Sequence, residues 1–186
     1  VAPRRPDPVD QLGPSGRRGG GAGLDRHAQV DLHYGRTDPD VHLAEIGHHH
    51  GMAGAGVGML TAADLTPGHA EDGGVQAWAT VGVTTPTWAA DADGGAGTWA
   101  PGTINVVVAV PVALSDAALV NAVITATEAK TQALLEAGVP GTGTASDAVC
   151  VLVGRGGPVE PFGGPRSPWG ARLARAVHGA VRARLP

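Results

Sequence analysis

The sequence predicts an α+β domain, a mixed β-sheet packed by helices, on three observations. Ile104-Asn-Val-Val-Val-Ala-Val110 is too continuously apolar and β-branched for an edge strand, so it reads as a central strand buried on both faces. A long helix follows it, capped by Ser115, with acidic Asp116 in its first turn and Gly138 as the stop after Ala137. Elsewhere strands and helices follow one another without strict alternation, the pattern of helices laid on a mixed sheet.

The remaining elements follow in order. Residues 1–22 contain Pro3, Pro6, Pro8, Pro14, four arginines and Gly19-Gly-Gly-Ala22, with almost nothing large and apolar to bury, and read as a flexible leader. The domain is expected over residues 23–186. Alternation of Val30, Leu32 and Tyr34 predicts a strand over Ala28 to Tyr34, and Thr37-Asp38-Pro39 a cap for a short helix over Asp40 to His49. The glycines of Gly51 to Gly58 lead into Met59-Leu-Thr-Ala-Ala-Asp64, and Val75 to Val83 is a further strand. A glycine-rich loop spans Asp91 to Gly102. Beyond the long helix, Ala148 to Val153 reads as another buried strand, Arg155 to Pro168 as a loop, and Trp169 to Leu185 as a closing amphipathic helix.

Composition bounds the function. At 186 residues the chain fits one domain with an ordinary core. Its hydrophobic share of 42% is carried by Ala, Val and Leu, and aromatics supply 3%, so the core is expected to be aliphatic and closely packed. A formal net charge of −4 provides no general positive field for nucleic acid or an anionic membrane. The single Cys150 lies in an apolar run and reads as a small buried hydrophobe. No stretch approaches the roughly 20 apolar residues of a membrane span, and no signal-peptide region is visible, so a cytoplasmic location is expected.

The long helix holds one anomaly. At 100° per residue, Leu119, Val123, Ala126, Ala133 and Leu134 share one face, and Asn121, Thr125, Glu128 and Gln132 form the opposite polar stripe. Lys130 falls within the apolar face, where an unpaired ammonium is costly and needs a carboxylate, an anion or a wet cavity; the bland alternative is a packed stem with a snorkelling amine. Two loops of glycine and threonine, Pro101-Gly-Thr-Ile-Asn105 and Gly141-Thr-Gly-Thr-Ala-Ser-Asp147, precede strands and offer backbone N–H groups and hydroxyls suited to an amide carbonyl or its oxyanion. Asp147 is the candidate partner of Lys130. The second loop lacks the Gly-Lys-Ser/Thr ending of a nucleotide loop and opens a strand, not a helix.

Gly102-Thr-Ile-Asn-Val-Val-Val108, the segment Leu114 to Leu134 (LSDAALVNAVITATEAKTQAL) and Gly141-Thr-Gly-Thr-Ala-Ser-Asp-Ala-Val149 together resemble the core of the adenosylcobinamide amidohydrolases. Met59 to Asp64, Ala79-Thr-Val-Gly-Val83 and Gly163-Gly-Pro-Arg-Ser-Pro-Trp-Gly170 also look like family segments, so the resemblance runs from about Leu24 to the end. It implies hydrolysis of the amide that joins aminopropanol to the corrin ring of adenosylcobinamide, yielding adenosylcobyric acid for cobalamin salvage. The implied partner is a corrinoid small molecule whose cobalt belongs to the substrate, with no metal or other cofactor of the protein's own.

The roles of side chains come from chemistry instead. Asp147 or Glu128 is the candidate general base, with Lys130 and Asn105 stabilising the oxyanion; Thr61, Thr103, Gly141, Thr142 and Thr144 are candidate substrate contacts. Two alternatives stand beside this: a corrinoid-binding module without turnover, and a self-processing amidase using Thr103, which follows a glycine at the start of a buried strand. His48-His49-His50 reads as a solvated helix end, and Arg172, Arg175, Arg182 and Arg184 as a solvated helix face. Trp78, Trp88, Trp99 and Trp169 are either core and loop anchors or stacking partners for a broad ring.

Overall fold

In the computed structural model, which describes residues 24–52, 54, 56–92 and 102–186, the chain runs β1 (Leu24–Gln29), α1 (Pro39–His49), β2 (Gly56–Thr61), β3 (Gly68–Asp72), β4 (Val75–Gly82), β5 (Thr103–Val110), β6 (Ala113–Leu114), α2 (Asp116–Glu136), β7 (Ala148–Val153), β8 (Val159–Glu160) and α3 (Pro168–Arg182). The segment expected to be a leader, most of the loop from Asp91 to Gly102, and Trp99 lie outside the described residues. The α+β expectation holds. A four-stranded sheet has the order β3-β4-β5-β7, antiparallel except for the parallel pair β5 and β7.

Strand β5 is interior, and Ile104, Val106, Val108 and Val110 enter the main core with Val75, Ala77 and Ala79 of β4 and the inner faces of α2 and α3. The small residues Ala118, Ala122, Ala126, Ala129 and Ala133 let α2 lie close upon its neighbours. Gly163 is needed here: a Cβ would stand 2.9 Å from the backbone N of Ala122 and run into the Ala118 carbonyl. On the opposite sheet face, Val107 and Cys150 pack with Met59 of β2. Strands β1 and β2 form a separate parallel pair, tied to the main sheet where Asn105 Nδ2 donates to the Leu60 carbonyl at 2.9 Å.

The long helix begins and ends where its caps demand. Ser115 Oγ accepts from Ala118 N, and Gly138 follows with φ of 75°. Its buried face is rotated from the expected one. Val123 is 40% exposed, whereas Thr125 is 1% exposed because its hydroxyl donates to the Gly163 carbonyl at 3.0 Å. Periodicity treats threonine as polar; a buried acceptor reverses that assignment.

Four other readings shift. The first strand ends at Gln29 and does not reach Tyr34, because Asp31 Oδ1 accepts from His33 N and the chain turns there. Strand β7 is an edge among the described strands, with only Cys150 buried, since it borders β5 on one side alone. Strand β3 was not expected; Gly73 and Gly74, at φ 54° and 89°, make the tight hairpin that joins it to β4. The arginines of α3 are engaged more than a solvated face implies: Arg175 pairs with Asp72 at 2.6 Å and Arg172 lies over the Trp169 ring at 4.6 Å. Among the described residues, no helix is long and apolar enough to cross a membrane.

Candidate active site

The β5-α2-β7 crossover brings the two Gly-Thr loops together. Strands β5 and β7 start side by side, Asn105 opposite Ala148, and α2 returns across them. Lys130 is 5% exposed, and its Nζ donates to Asp147 Oδ2 at 2.5 Å. The amine is thus paired within the fold and does not snorkel to water.

Asp147 gathers four donors. Besides Lys130, Oδ2 accepts from Thr144 N at 3.1 Å, and Oδ1 accepts from Ile104 N at 3.0 Å and from the Thr144 hydroxyl. One carboxylate therefore fixes the start of β5, the second loop and α2 to each other. Its side chain is 12% exposed and that of Lys130 6%, so the pair sits in a poorly hydrated place where electrostatic interactions are strengthened. Gly143 closes over it, since a Cβ there would stand 2.6 Å from Lys130 Nζ and collide with the carboxylate.

Outside this pair lie two hydroxyls. Thr103 Oγ1 is 2.8 Å from Ser146 Oγ, which also donates to the Gly102 carbonyl at 3.2 Å. The loop is braced from behind, with Thr131 of α2 donating to the Thr142 carbonyl at 3.1 Å. It is also stitched to the segment after β4: Thr87 N donates to Gly143 O at 2.9 Å, Thr142 N to Thr87 O at 2.9 Å, and Ala89 N to Thr142 Oγ1 at 3.0 Å. Gly141 fits against the Thr87 backbone, where a Cβ would stand 2.8 Å from its N.

The structure thus assembles Lys130, Asp147, Thr103, Gly141, Thr142 and Thr144 into one region. Asn105 lies beneath it, 1% exposed, with its amide turned to Leu60. Thr61 is equally buried on the adjoining strand, and its hydroxyl accepts from Ala63 N at 3.0 Å. Glu128 is not brought in. It lies on the exposed outer face of α2, lining a shallow groove with Thr127, Thr131 and Gln132. Sequence reading did not nominate Ser146, Gly143 or Thr131. Ser146 lies within the second Gly-Thr loop, but only the fold pairs its hydroxyl with Thr103. His48 to His50 sit exposed at the end of α1.

These features define a class: an α+β domain in which a buried lysine–aspartate pair pins two glycine-threonine loops at one end of a mixed sheet. The chain belongs to the adenosylcobinamide amidohydrolase family, whose model matches residues 15–185. That match also takes in residues 15–22 of the expected leader. The chain is 45% identical over 119 residues to the adenosylcobinamide amidohydrolase of Halobacterium salinarum, covering 61% of this chain and 51% of that protein. It is 32% identical over 168 residues to the protein of the same name from Methanosarcina mazei, covering 84% of this chain and 80% of that one. The chain thus spans about half the length of the first relative. No solved structure matches it.

Proposed function

We propose that this chain hydrolyses the amide joining aminopropanol to the corrin side-chain carboxyl of adenosylcobinamide, releasing aminopropanol and adenosylcobyric acid. The family match over residues 15–185 carries this reading. Its support in the structure is that three separated family-like segments converge on the Lys130 and Asp147 pair. The activity belongs to corrinoid salvage in the cytoplasm, and the cobalt is part of the substrate.

In this reading the scissile carbonyl lies against the two Gly-Thr loops, with Thr103, Ser146, Thr142 and Thr144 facing the substrate. The positive charge of Lys130, fixed in advance by Asp147, stabilises the oxyanion as water attacks. Asp147 has its acceptor positions filled, so it takes a water proton only when one donor leaves; the Thr144 hydroxyl is the one a substrate group can replace. Asn105 and Thr61 hold the floor. Glu128, on the far face of α2, is left without a catalytic part.

A covalent route through Thr103 is the second reading, favoured by the placement of its hydroxyl beside Ser146 at the outer edge of the pair. Incubation of purified protein with adenosylcobinamide tests both, and also the alternative of a binding module without turnover. Release of aminopropanol and adenosylcobyric acid is expected. Corrinoid binding without release identifies a binding module, and two polypeptides on a denaturing gel identify self-processing.

A further inference from the structure

Trp88 stands out among the chain's few aromatic residues. Four Trp, one Tyr and one Phe are all that 186 residues contain; among the described ones Phe162 is 69% and Trp88 47% exposed, and of these two it is Trp88 whose segment is hydrogen-bonded to the Gly141–Asp147 loop. Its indole gives up much of the burial such a side chain usually gains. The backbone beneath it is well held all the same. Thr87 and Gly143 form an isolated antiparallel bridge, Ala89 N donates to Thr142 Oγ1, and Asp91 N donates to the Trp88 carbonyl at 3.2 Å. These bonds hold the segment through groups other than the indole, which is left half-exposed.

The bridge also sets where the Trp88 backbone lies. A Cβ at Gly143 would lie 2.6 Å from Lys130 Nζ. Thr87 is one strand spacing from Gly143 and Trp88 one residue further, which puts the Trp88 backbone on the order of 10 Å from the ammonium. That is the scale of a corrin ring measured from the tip of one side-chain amide. A half-exposed indole on a backbone held at this distance suits a broad, flat, conjugated ligand whose scissile amide enters the ion-pair region.

We propose that Trp88 is a specificity-determining residue that stacks on the corrin macrocycle while the Gly-Thr loops hold the amide. The inference rests on the corrinoid reading above and adds a binding surface that the reaction chemistry does not require. The contact is made equally in ground and transition states, so its loss raises KM and leaves kcat nearly alone.

The test uses the full chain with Trp88→Ala, Trp88→Leu and Trp88→Phe. Steady-state turnover of adenosylcobinamide is measured with calorimetric Kd values for adenosylcobyric acid, which keeps the ring but lacks the scissile amide. Expected are a rise of roughly 10-fold or more in KM and Kd for Ala and Leu, recovery of most of it by Phe, and kcat within about 3-fold of the parent. Unchanged KM and Kd in Trp88→Ala overturn the proposal. So does full recovery by Leu, which shows that apolar bulk and not a flat ring is needed, or a fall in kcat as large as the rise in KM, which shows a displaced loop. Parent protein that neither binds nor cleaves the corrinoids overturns the functional reading itself; parent protein that does both beside an unaffected Trp88→Ala overturns this inference alone.

Discussion

Replacing Lys130 by Met removes the ammonium but keeps a flexible apolar stem in the same channel of the core. Asp147 loses one of its four donors and keeps Thr144 N, the Thr144 hydroxyl and Ile104 N. Breaking a buried pair typically costs about 3–5 kcal/mol, and the remaining donors reduce this to about 1–3 kcal/mol. For a domain of this size that is a fall in Tm of about 2–12 °C, so most of the protein stays folded at 25 °C. The expected loss in kcat is roughly 100-fold or more, the scale of removing one preorganised oxyanion donor. Turnover per folded molecule is followed by aminopropanol release, with Tm from circular dichroism. An electrostatic catalyst loses turnover far beyond its loss of stability, whereas a loop brace loses turnover only in step with the fall in Tm. Full activity of Lys130→Met per folded molecule refutes the catalytic assignment.

Three further outcomes are expected. Thr103→Ala retains measurable turnover if water attacks directly; complete loss with an unchanged melting curve, or mass-spectrometric cleavage after Gly102, moves the chemistry to the Thr103 hydroxyl. Gly143→Ala forces a methyl onto Lys130 and Asp147, so both stability, by about 1–3 kcal/mol, and turnover fall; an equally stable, equally active variant contradicts the site's packing. Arg175 holds the Asp72 carboxyl below its ordinary value of 3.8, so this latch between β3 and α3 contributes stability above that value and loses it as pH falls through the lowered one; Asp72→Asn flattens the acid limb of a plot of Tm against pH, and an unchanged limb rules the latch out.

Legibility in the sequence varied with how local each signal was. The caps of α2 are decided within a few residues of each end, and Ser115 and Gly138 stand where they were expected. The interior character of β5 followed from its unbroken β-branched run. Lys130 was visible because a charge on an apolar stripe is an internal contradiction, and the partner offered for it, Asp147, is the one the fold supplies. What escaped depended on distant partners. Thr125 turned inward because Gly163, 38 residues on, presents a carbonyl to it. Trp88, Thr87 and Gly143 are linked only by a bridge across loops that no periodicity reports. The misassigned edge of β7 has the same origin, for an apolar run does not say how many neighbours it has.

Topology also explains why the lysine stands at 130. Helix α2 starts beyond the end of β5 and runs back over it to reach the parallel strand β7, which begins beside the start of β5. From Asp116 to Lys130 the helix climbs about 21 Å at 1.5 Å per residue, and from Thr103 to Val110 the strand covers about 23 Å at 3.3 Å per residue. The two lengths match within a residue or two, so Lys130 is level with Thr103 and with Asp147, which directly precedes β7. A lysine one turn earlier would stand about 5 Å short of the loops, over the core, and one turn later would overshoot toward the helix end. The ion pair is therefore a consequence of strand length, helix pitch and a parallel crossover, and it is these that place a fixed positive charge where the two Gly-Thr loops meet.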